Sequence, residues 1–371
     1  MAVSSALYKV HTLIKNNVDN QRDTLTAYEA KEEAQRLAFA PVAFQACYSL
    51  RTLGILDLLA EQDQGLSLQT IAEHVQLSPY GISVLLDMAA SVGVIIVSQT
   101  HYQLTKMGHF LQGDPMTMVN FDFVANVCYE PMRFLTDSVQ SGRPEGLSVF
   151  GEWQTIYPGL SQLPEPAKQS WFKFDHYYSD RSFSLVLDHV FKTAPQTICD
   201  IGANTGKWTT RLCDYSQQVT VTMVDLQQQL VIAQKNILQT DYADRVRSHT
   251  CDLLDKDASL PVDQDAYWMS QFLDCFSKKQ IINILQKVKL VMHDNAEVFI
   301  LELFPDRQQH HSATYSLNAT SLYFTAIANG YSRFYQSTEF LPLIEQAGLQ
   351  LTDQIDHIGL GHTLLKCKKN G

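Results

Sequence analysis

From about residue 196 the chain alternates short apolar runs with helix-length stretches, and this alternation restricts its fold more than any other feature. The runs at 197–200, 219–225, 246–249, 266–270 and 296–302 are β-like, whereas stretches such as 227–238 and 278–292 carry a helical period. Short, apolar strands separated by helices belong in a parallel sheet covered on both faces. Residues 349–357 and 362–366, joined across Gly359-Leu-Gly361, read as a terminal antiparallel hairpin. The expected fold class is therefore α/β, with seven strands in the C-terminal sheet.

At 371 residues the chain has room for two or three domains. With 45% hydrophobic and 18% charged residues it has ample material for packed cores, which excludes a disordered chain. A net charge of −11 opposes a broad nucleic-acid or anionic-membrane surface. No run of about 18 apolar residues is present, so no membrane-spanning helix is expected. The opening Met1-Ala-Val-Ser-Ser-Ala-Leu-Tyr-Lys-Val10 lacks the basic and apolar regions of a signal peptide. Seven cysteines without a C-x-x-C pair read as reduced thiols rather than a disulfide framework or zinc cage. A cytoplasmic location is the expectation.

Composition and period change near residues 115 and 195, which divides the chain into regions 1–115, 116–195 and 196–371. In the first, a helical run over about 42–59 precedes a short helix over 66–75, entered from a capping Ser67. Ser78 opens a further helix with Ile82, Leu85, Leu86 and Ala89 on one face. Two β segments, 92–97 and 102–105, follow around a polar turn. That order is a winged helix, preceded by a long helical segment over 6–39. Winged helices often bind DNA, yet residues 46–112 hold only Arg51 and Lys106 against Asp57, Glu61, Asp63, Glu73 and Asp87, a net of 2 − 5 = −3. Such a surface repels phosphates, so a DNA-binding repressor is disfavoured and a homodimer through this region is expected. Region 116–195 is mainly helical and rich in aromatic residues, suited to packing or to the wall of a planar-substrate pocket.

The first strand of the sheet ends in Asp200-Ile-Gly202-Ala-Asn204-Thr-Gly206-Lys-Trp208, and a helix follows. Glycines at this place let a ligand approach the backbone at the carboxyl ends of the strands. The dinucleotide fingerprint fails because Asn204 and Lys207 stand where it has glycine, and the P-loop fails on spacing and on Trp208. Asp225 closes the second strand, where a carboxylate can accept both hydroxyls of a ribose. Cys251-Asp252-Leu253-Leu254 follows the third, an acid and an apolar pair suited to an adenine edge and face.

Together, Asp-Ile-Gly-Ala-Asn-Thr-Gly, Val-Asp-Leu and Cys-Asp-Leu-Leu resemble the S-adenosylmethionine-dependent methyltransferases. The winged-helix start narrows the resemblance to small-molecule O-methyltransferases of the plant caffeate and bacterial polyketide type, over about residues 40–368. It implies a Rossmann-like methyltransferase sheet, and an intertwined homodimer whose N-terminal domain helps cap the active site. It also implies S-adenosyl-L-methionine as cofactor, S-adenosyl-L-homocysteine as product and no metal. Carried over residue by residue, Asp200, Gly202, Asn204 and Gly206 would pass the methionine moiety, and Asp225 and Leu226 would hold the ribose. Asp252 and Leu253 would hold adenine, with Ser270 and Gln271 beside the sulfonium. The substrate-facing positions would be Tyr178, Phe272, Asn318, Tyr323 and Phe324.

One departure bears on the chemistry. The family motif after the fourth strand reads approximately Leu-His-Asp-Trp, its His being the general base. Here the stretch is Phe272-Leu273-Asp274-Cys275-Phe276, with Asp274 at the histidine position. A partner acid survives as Glu302. An ordinary aspartate lies about 6 pKa units below a phenol, or ~8 kcal/mol against proton transfer. Asp274 therefore serves as base only if burial and the neighbouring Glu302 raise it by several units. His176, in Phe174-Asp-His-Tyr-Tyr-Ser-Asp180, is the alternative histidine. A third possibility is an acceptor acidic enough to bind already ionised. The expected activity is methyl transfer to a hydroxyl of a small aromatic or conjugated metabolite. The alternatives are C-methylation of an activated phenolic precursor, or a cofactor-binding protein without catalysis.

Overall fold

The computed structural model describes residues 24–370. Part of the expected N-terminal helical segment, residues 6–23, lies outside the described residues. The chain divides into two compact units, Met1–Ala125 and Asn126–Gly371.

In the first unit, helix α1 (Ala27–Thr52) starts at a capping box: Thr26 Oγ1 accepts the Glu29 N–H at 3.3 Å, and Glu29 accepts the Thr26 N–H at 2.9 Å. The single helical run expected over 42–59 is two helices, because Gly54 turns left-handed at φ 71° before α2 (Ile55–Ala60). β1 (Leu66–Ser67) leads into α3 (Leu68–Val75), where Ser67 Oγ caps the Thr70 N–H at 3.2 Å. α4 (Pro79–Ser91) then precedes a wing, β2 (Ile95–Ser98) and β3 (His101–Leu104), which pairs with β1 in the order β1-β3-β2. Leu50, Ile55, Leu56, Ile71, Ile82, Leu86 and Val94 form its core. Arg51, one of its few cations, is held in a fork by Asp122 at 2.8 and 3.3 Å. Leu37, Phe39 and Val42 of α1 and Tyr80 of α4 are exposed.

The second unit carries α5 (Ala167–Val190) and then a seven-stranded sheet. Its strands are β4 (Thr197–Ile201), β5 (Thr220–Asp225), β6 (Val246–Thr250), β7 (Ala266–Ser270), β8 (Glu297–Leu303), β9 (Leu349–Ile358) and β10 (His362–Lys369). They lie in the order β6-β5-β4-β7-β8-β10-β9. The first five in that order are parallel, and the β9–β10 hairpin closes the edge antiparallel to β8. The helices are α6 (Lys207–Tyr215), α7 (Gln227–Ile237), α8 (Lys278–Val291), α9 (His311–Tyr323) and α10 (Ser337–Gln346).

Alternation along the strands builds both faces. Cys199, Met269 and Ile300 pack on one side with Ile281, Leu285 and Val288 of α8 and Phe340 of α10. Ile198, Trp268 and Phe299 pack on the other with Phe183 and Val186 of α5 and Trp208 of α6. Trp208 and Trp268 stack at 4.0 Å. Among the described residues no helix is long and apolar enough to cross a membrane.

The chain leaves β4 first for β5 and β6, then crosses to β7 and β8. The ends of β4 and β7 therefore border the crevice where such sheets bind ligands. Gly202 turns the chain out of β4 at φ 78°, and a Cβ there would lie 2.4 Å from the Phe272 ring. Gly202→Ala is expected to destabilise the protein by about 2 kcal/mol or more, through the left-handed backbone and the overlap together. Urea unfolding should show a lower midpoint with an unchanged slope.

Candidate active site

The loop after β4 is fastened to the neighbouring strand by a carboxylate. Asp225, the last residue of β5, accepts the Asn204 N–H at 2.8 Å and the Leu226 N–H at 2.7 Å. Asn204 sits at φ 49° and Gly206 at φ 82°, left-handed turns that bring α6 back over the sheet. Burial pushes the Asp225 carboxyl up, opposed only by those two peptide N–H groups. Asp200 is fully buried, and burial raises it to about 7 although Thr209 Oγ1 donates to it at 2.7 Å. Asn204 Oδ1, Thr205 Oγ1 and Ser270 Oγ are buried without a hydrogen-bond partner among the described residues. Gln271, at φ 45°, donates its N–H to Leu301 O at 2.9 Å, and its side chain lies 3.2 Å from His362 Nε2. Burial holds His362 down at about 4, so this ring is neutral near pH 7.

The loop after β7 is fastened in the same way from the other side. Glu302 Oε1 accepts the N–H groups of Phe272 at 3.1 Å and Leu273 at 2.8 Å, and so caps the short 3-10 turn Leu273–Cys275 that carries Asp274. Glu302 Oε2 is buried and unpaired among the described residues. Asp274 is 5% exposed, and the Cys275 thiol donates to its Oδ1 at 3.4 Å. Burial and the nearby charge of Asp175 raise Asp274 to about 7, against the pull of the Cys275 hydrogen bond. Burial and the Asp274 charge push Glu302 well above the carboxylate range.

Aromatic side chains surround this turn. Asn329 Nδ2 donates to Cys275 O at 2.8 Å and lies 3.4 Å from the Tyr157 hydroxyl, which is hydrogen-bonded with the Cys275 thiol. Trp171 Nε1 donates to the Tyr323 hydroxyl at 2.6 Å, and Phe324 packs edge-on to both Tyr323 and Phe334. Phe272 meets Phe276 at 4.9 Å. Burial raises the hydroxyls of Tyr157 and Tyr323 far above an ordinary tyrosine.

Asp274, Glu302, Phe272, Tyr323 and Phe324 thus lie around one turn, and Asp200, Gly202, Asn204, Gly206, Asp225 and Leu226 around the loop beside it. His176 takes a different place on α5, with Nδ1 3.9 Å from Asp175 Oδ2 and 3.7 Å from Asp180 Oδ1. Asp180 in turn pairs with Lys207 at the start of α6. Tyr178 packs among Phe174 and Tyr177. Leu253 is buried in the core beneath α8, whereas Asp252 is exposed and its Oδ1 accepts the Leu254 N–H at 2.9 Å. Asn318 is exposed on α9, away from the buried side of that helix marked by Leu317. Asp175 and Asn329 escaped the sequence reading as site residues, while Tyr157 and Trp171 entered it only as aromatics of region 116–195 and Cys275 only as part of the 272–276 stretch. Of the first two, only Asp175 had a local signal, as the acid beside His176. Among the described residues no His/Cys/Asp/Glu group could hold a metal ion.

A model of a Dimerisation2-like domain matches residues 31–102, and a model of an O-methyltransferase domain matches residues 133–350, more than half of the chain. The chain belongs to the O-methyltransferase family. It is 22% identical to acetylserotonin O-methyltransferase of Bos taurus over 299 residues, which cover 78% of this chain and 84% of the relative. To the Gallus gallus enzyme of the same name it is 25% identical over 288 residues, 75% and 81% of the two chains. Its fold is similar to that of the mitomycin 7-O-methyltransferase MmcR, with a TM-score of 0.71, 18% identity, and coverage of 92% and 98%. It is also similar to that of NcsB1, an O-methyltransferase from neocarzinostatin biosynthesis in complex with S-adenosyl-L-homocysteine and 1,4-dihydroxy-2-naphthoic acid (TM-score 0.62, 19% identity, coverage 88% and 95%).

As an O-methyltransferase of this family, the protein is an S-adenosylmethionine-dependent enzyme. The residues present fit that cofactor. Its hydroxyl and ammonium groups are donors, and the β4 loop offers an unpaired acceptor in Asn204 Oδ1 beside carboxylates raised by burial. Asp225 spends one lone pair of each oxygen on peptide groups and retains the others for hydroxyl donors. Asp225→Ala is expected to weaken S-adenosyl-L-homocysteine binding about 10²-fold, since a hydrogen bond to a charged group contributes roughly 1.5–3 kcal/mol. Titration calorimetry checks this, and unchanged affinity would place the ribose elsewhere.

Proposed function

We propose that this O-methyltransferase methylates a hydroxyl of a small aromatic or conjugated metabolite, with Asp274 as the general base. The observation that carries this reading is a buried carboxyl raised to about 7 within an aromatic-walled site. Raising Asp274 to that value shrinks the gap to a phenol to about 3 units, or ~4 kcal/mol, a barrier that positioning can offset. The names of MmcR and NcsB1 support a small conjugated acceptor for this chain.

In this reading the loop 202–206 and Asp200 hold the methionine end of the cofactor, and Asp225 with Leu226 hold the ribose. Asp252 and Leu253 meet adenine, and Ser270 and Gln271 line the sulfonium side. When bound, the cofactor supplies an electrophilic methyl group. Tyr157, Trp171, Phe272, Tyr323 and Phe324 hold the acceptor ring and exclude water. Glu302 fixes the turn through its backbone, and Asp274 Oδ receives the acceptor proton. Region 116–195 acts as a connector that supplies Tyr157, Trp171 and Asp175 to this wall. C-methylation of an activated phenol uses the same base, and the position of the new methyl in the product separates the two.

Asp274 accepts a proton only when ionised, so turnover should fall as pH drops through about 7. Asp274→Asn should lower turnover about 10²–10⁴-fold with cofactor affinity nearly intact, and Asp274→His should restore part of it. If His176→Ala abolishes turnover while Asp274→Asn retains it, the base is His176. A pH profile that ignores both substitutions and follows the acceptor's own pKa marks an acceptor bound already ionised.

We further infer a cytoplasmic homodimer formed through the N-terminal region. Support comes from the match to a Dimerisation2-like domain and from Leu37 and Phe39, which are 77% and 59% exposed on α1. The full chain should sediment as a dimer, and the double substitution Leu37→Asp, Phe39→Asp should raise its dissociation constant at least about 10-fold. A full chain that sediments as a monomer overturns this.

A further inference from the structure

Asn204 stands where glycine would leave the backbone free, and its side chain is used. Its N–H is held by Asp225 Oδ2, and its Nδ2 reaches across to Asp175 Oδ2 on α5 at 3.0 Å. A non-glycine residue at φ 49° is tethered at both ends, with the loop on one side and a carboxylate from another element on the other.

The charge of Asp175, like that of Glu302, also acts on Asp274. The Asp175 side chain is 27% exposed, and its surroundings are mixed. His176 and Asp180 lie on its own helix, Asn204 and Lys207 at the β4 loop, and Tyr323 at the end of α9. Around Asp274 stand Asp175 from α5, Glu302 from β8, Cys275 from its own turn, Tyr157, and Tyr335 before α10. None of these neighbours of Asp274 is a cation, whereas Asp175 has Lys207 beside it.

We propose that Asp175 is a positioning residue that clasps the cofactor loop through Asn204 and sets the electrostatic environment of Asp274, joining the two halves of the site through one carboxylate. The loop side rests on the Asn204–Asp175 hydrogen bond and stands whatever the identity of the base. The Asp274 side rests on the reading of Asp274 as base. Two like charges close together in a low-dielectric site disfavour joint ionisation, so an ionised Asp175 keeps the proton on Asp274 to higher pH. Removing the charge while keeping the shape should release that proton at lower pH. Removing the side chain should also loosen the loop.

Three variants test this on the full chain. Asp175→Ala and Asn204→Gly should each weaken S-adenosyl-L-homocysteine binding about 3–10-fold by calorimetry. The double variant should bind no worse than Asn204→Gly alone, because that substitution already removes the contact to Asp175. Asp175→Asn keeps an acceptor for the Asn204 amide, so its affinity should stay within about 3-fold. It should also move the titration of Asp274 down by about one unit. That titration is read without turnover, as the γ-carboxyl resonance of 13C-labelled aspartate that disappears in Asp274→Asn, and in parallel as the acidic limb of the pH–rate profile. Additive losses in the double variant, or an Asp274 resonance that titrates unchanged in Asp175→Asn, would overturn the proposal. Normal turnover in Asp274→Asn would instead remove Asp274 as base, and the calorimetric result would still decide the clasp. Asp175→Asn also keeps the question answerable should Asp175→Ala fail to fold.

Discussion

The ends of β4 and β7 approach so closely that the residue after β4 can have no side chain: the Phe272 ring occupies the place of a Cβ at Gly202. Each loop leaving these strands is then stitched outward to the next strand. Gly202 N donates to Val224 O, and Asn204 N donates to Asp225 at the end of β5. On the other side Gln271 N donates to Leu301 O, and the N–H groups of Phe272 and Leu273 donate to Glu302 of β8. Two carboxylates, the half-buried Asp225 and the buried Glu302, thus hold two loops, one on each flank of the switch point. Buried peptide N–H groups need acceptors, and a carboxylate takes several at once, which is why acids sit at these strand ends.

That arrangement sets the electrostatics. Asp200, Asp274 and Glu302 are buried and Asp225 is half-buried, with peptide and hydroxyl dipoles in place of cations. Burial disfavours the ionised form of each, and neighbouring acids add to the effect. Such a site is receptive to donors and positive charge, in keeping with a cofactor that carries a sulfonium and an ammonium group.

Much of this was legible in the sequence, for physical reasons. Strands buried on two faces need uninterrupted apolar runs, so the β/α alternation and the terminal hairpin could be read directly. The glycine spacing and Asp225 mark the loop because few other residues satisfy its geometry. The break at Gly54 was not legible, since the apolar period continues on both sides of it. Nor was the full manner in which Glu302 acts. Proximity to Asp274 suggested a charge acting on a charge, and Glu302 does feel the Asp274 charge. What the sequence did not show is that its carboxylate also binds the backbone of the turn, and that a second acid near Asp274 comes from α5, 99 positions earlier. Tyr157, Cys275 and Asn329 meet through long-range packing that no local pattern encodes.

With Asp274 as the proposed base in place of a histidine, what changes is where charge sits more than how strongly a proton is drawn. A carboxyl at about 7 is close to the ordinary value of imidazole, about 6.5, so the two are similar as acceptors. Their charge balance differs. Proton transfer from a phenol to a neutral imidazole creates a cation and an anion inside a low-dielectric site, at a large desolvation cost unless the two remain paired. Transfer to an ionised Asp274 creates no new charge: one anion becomes neutral as another forms on the acceptor. The total stays at minus one, and it moves from the carboxylate to the oxygen that must act as nucleophile. For this reason the acid-rich surroundings need no cation to support the proposed base. As the proposed base, Asp274 would have to reach its ionised state against the same neighbours, and that requirement would place Asp175 and Glu302, rather than Asp274 alone, in control of the pH at which the site becomes competent.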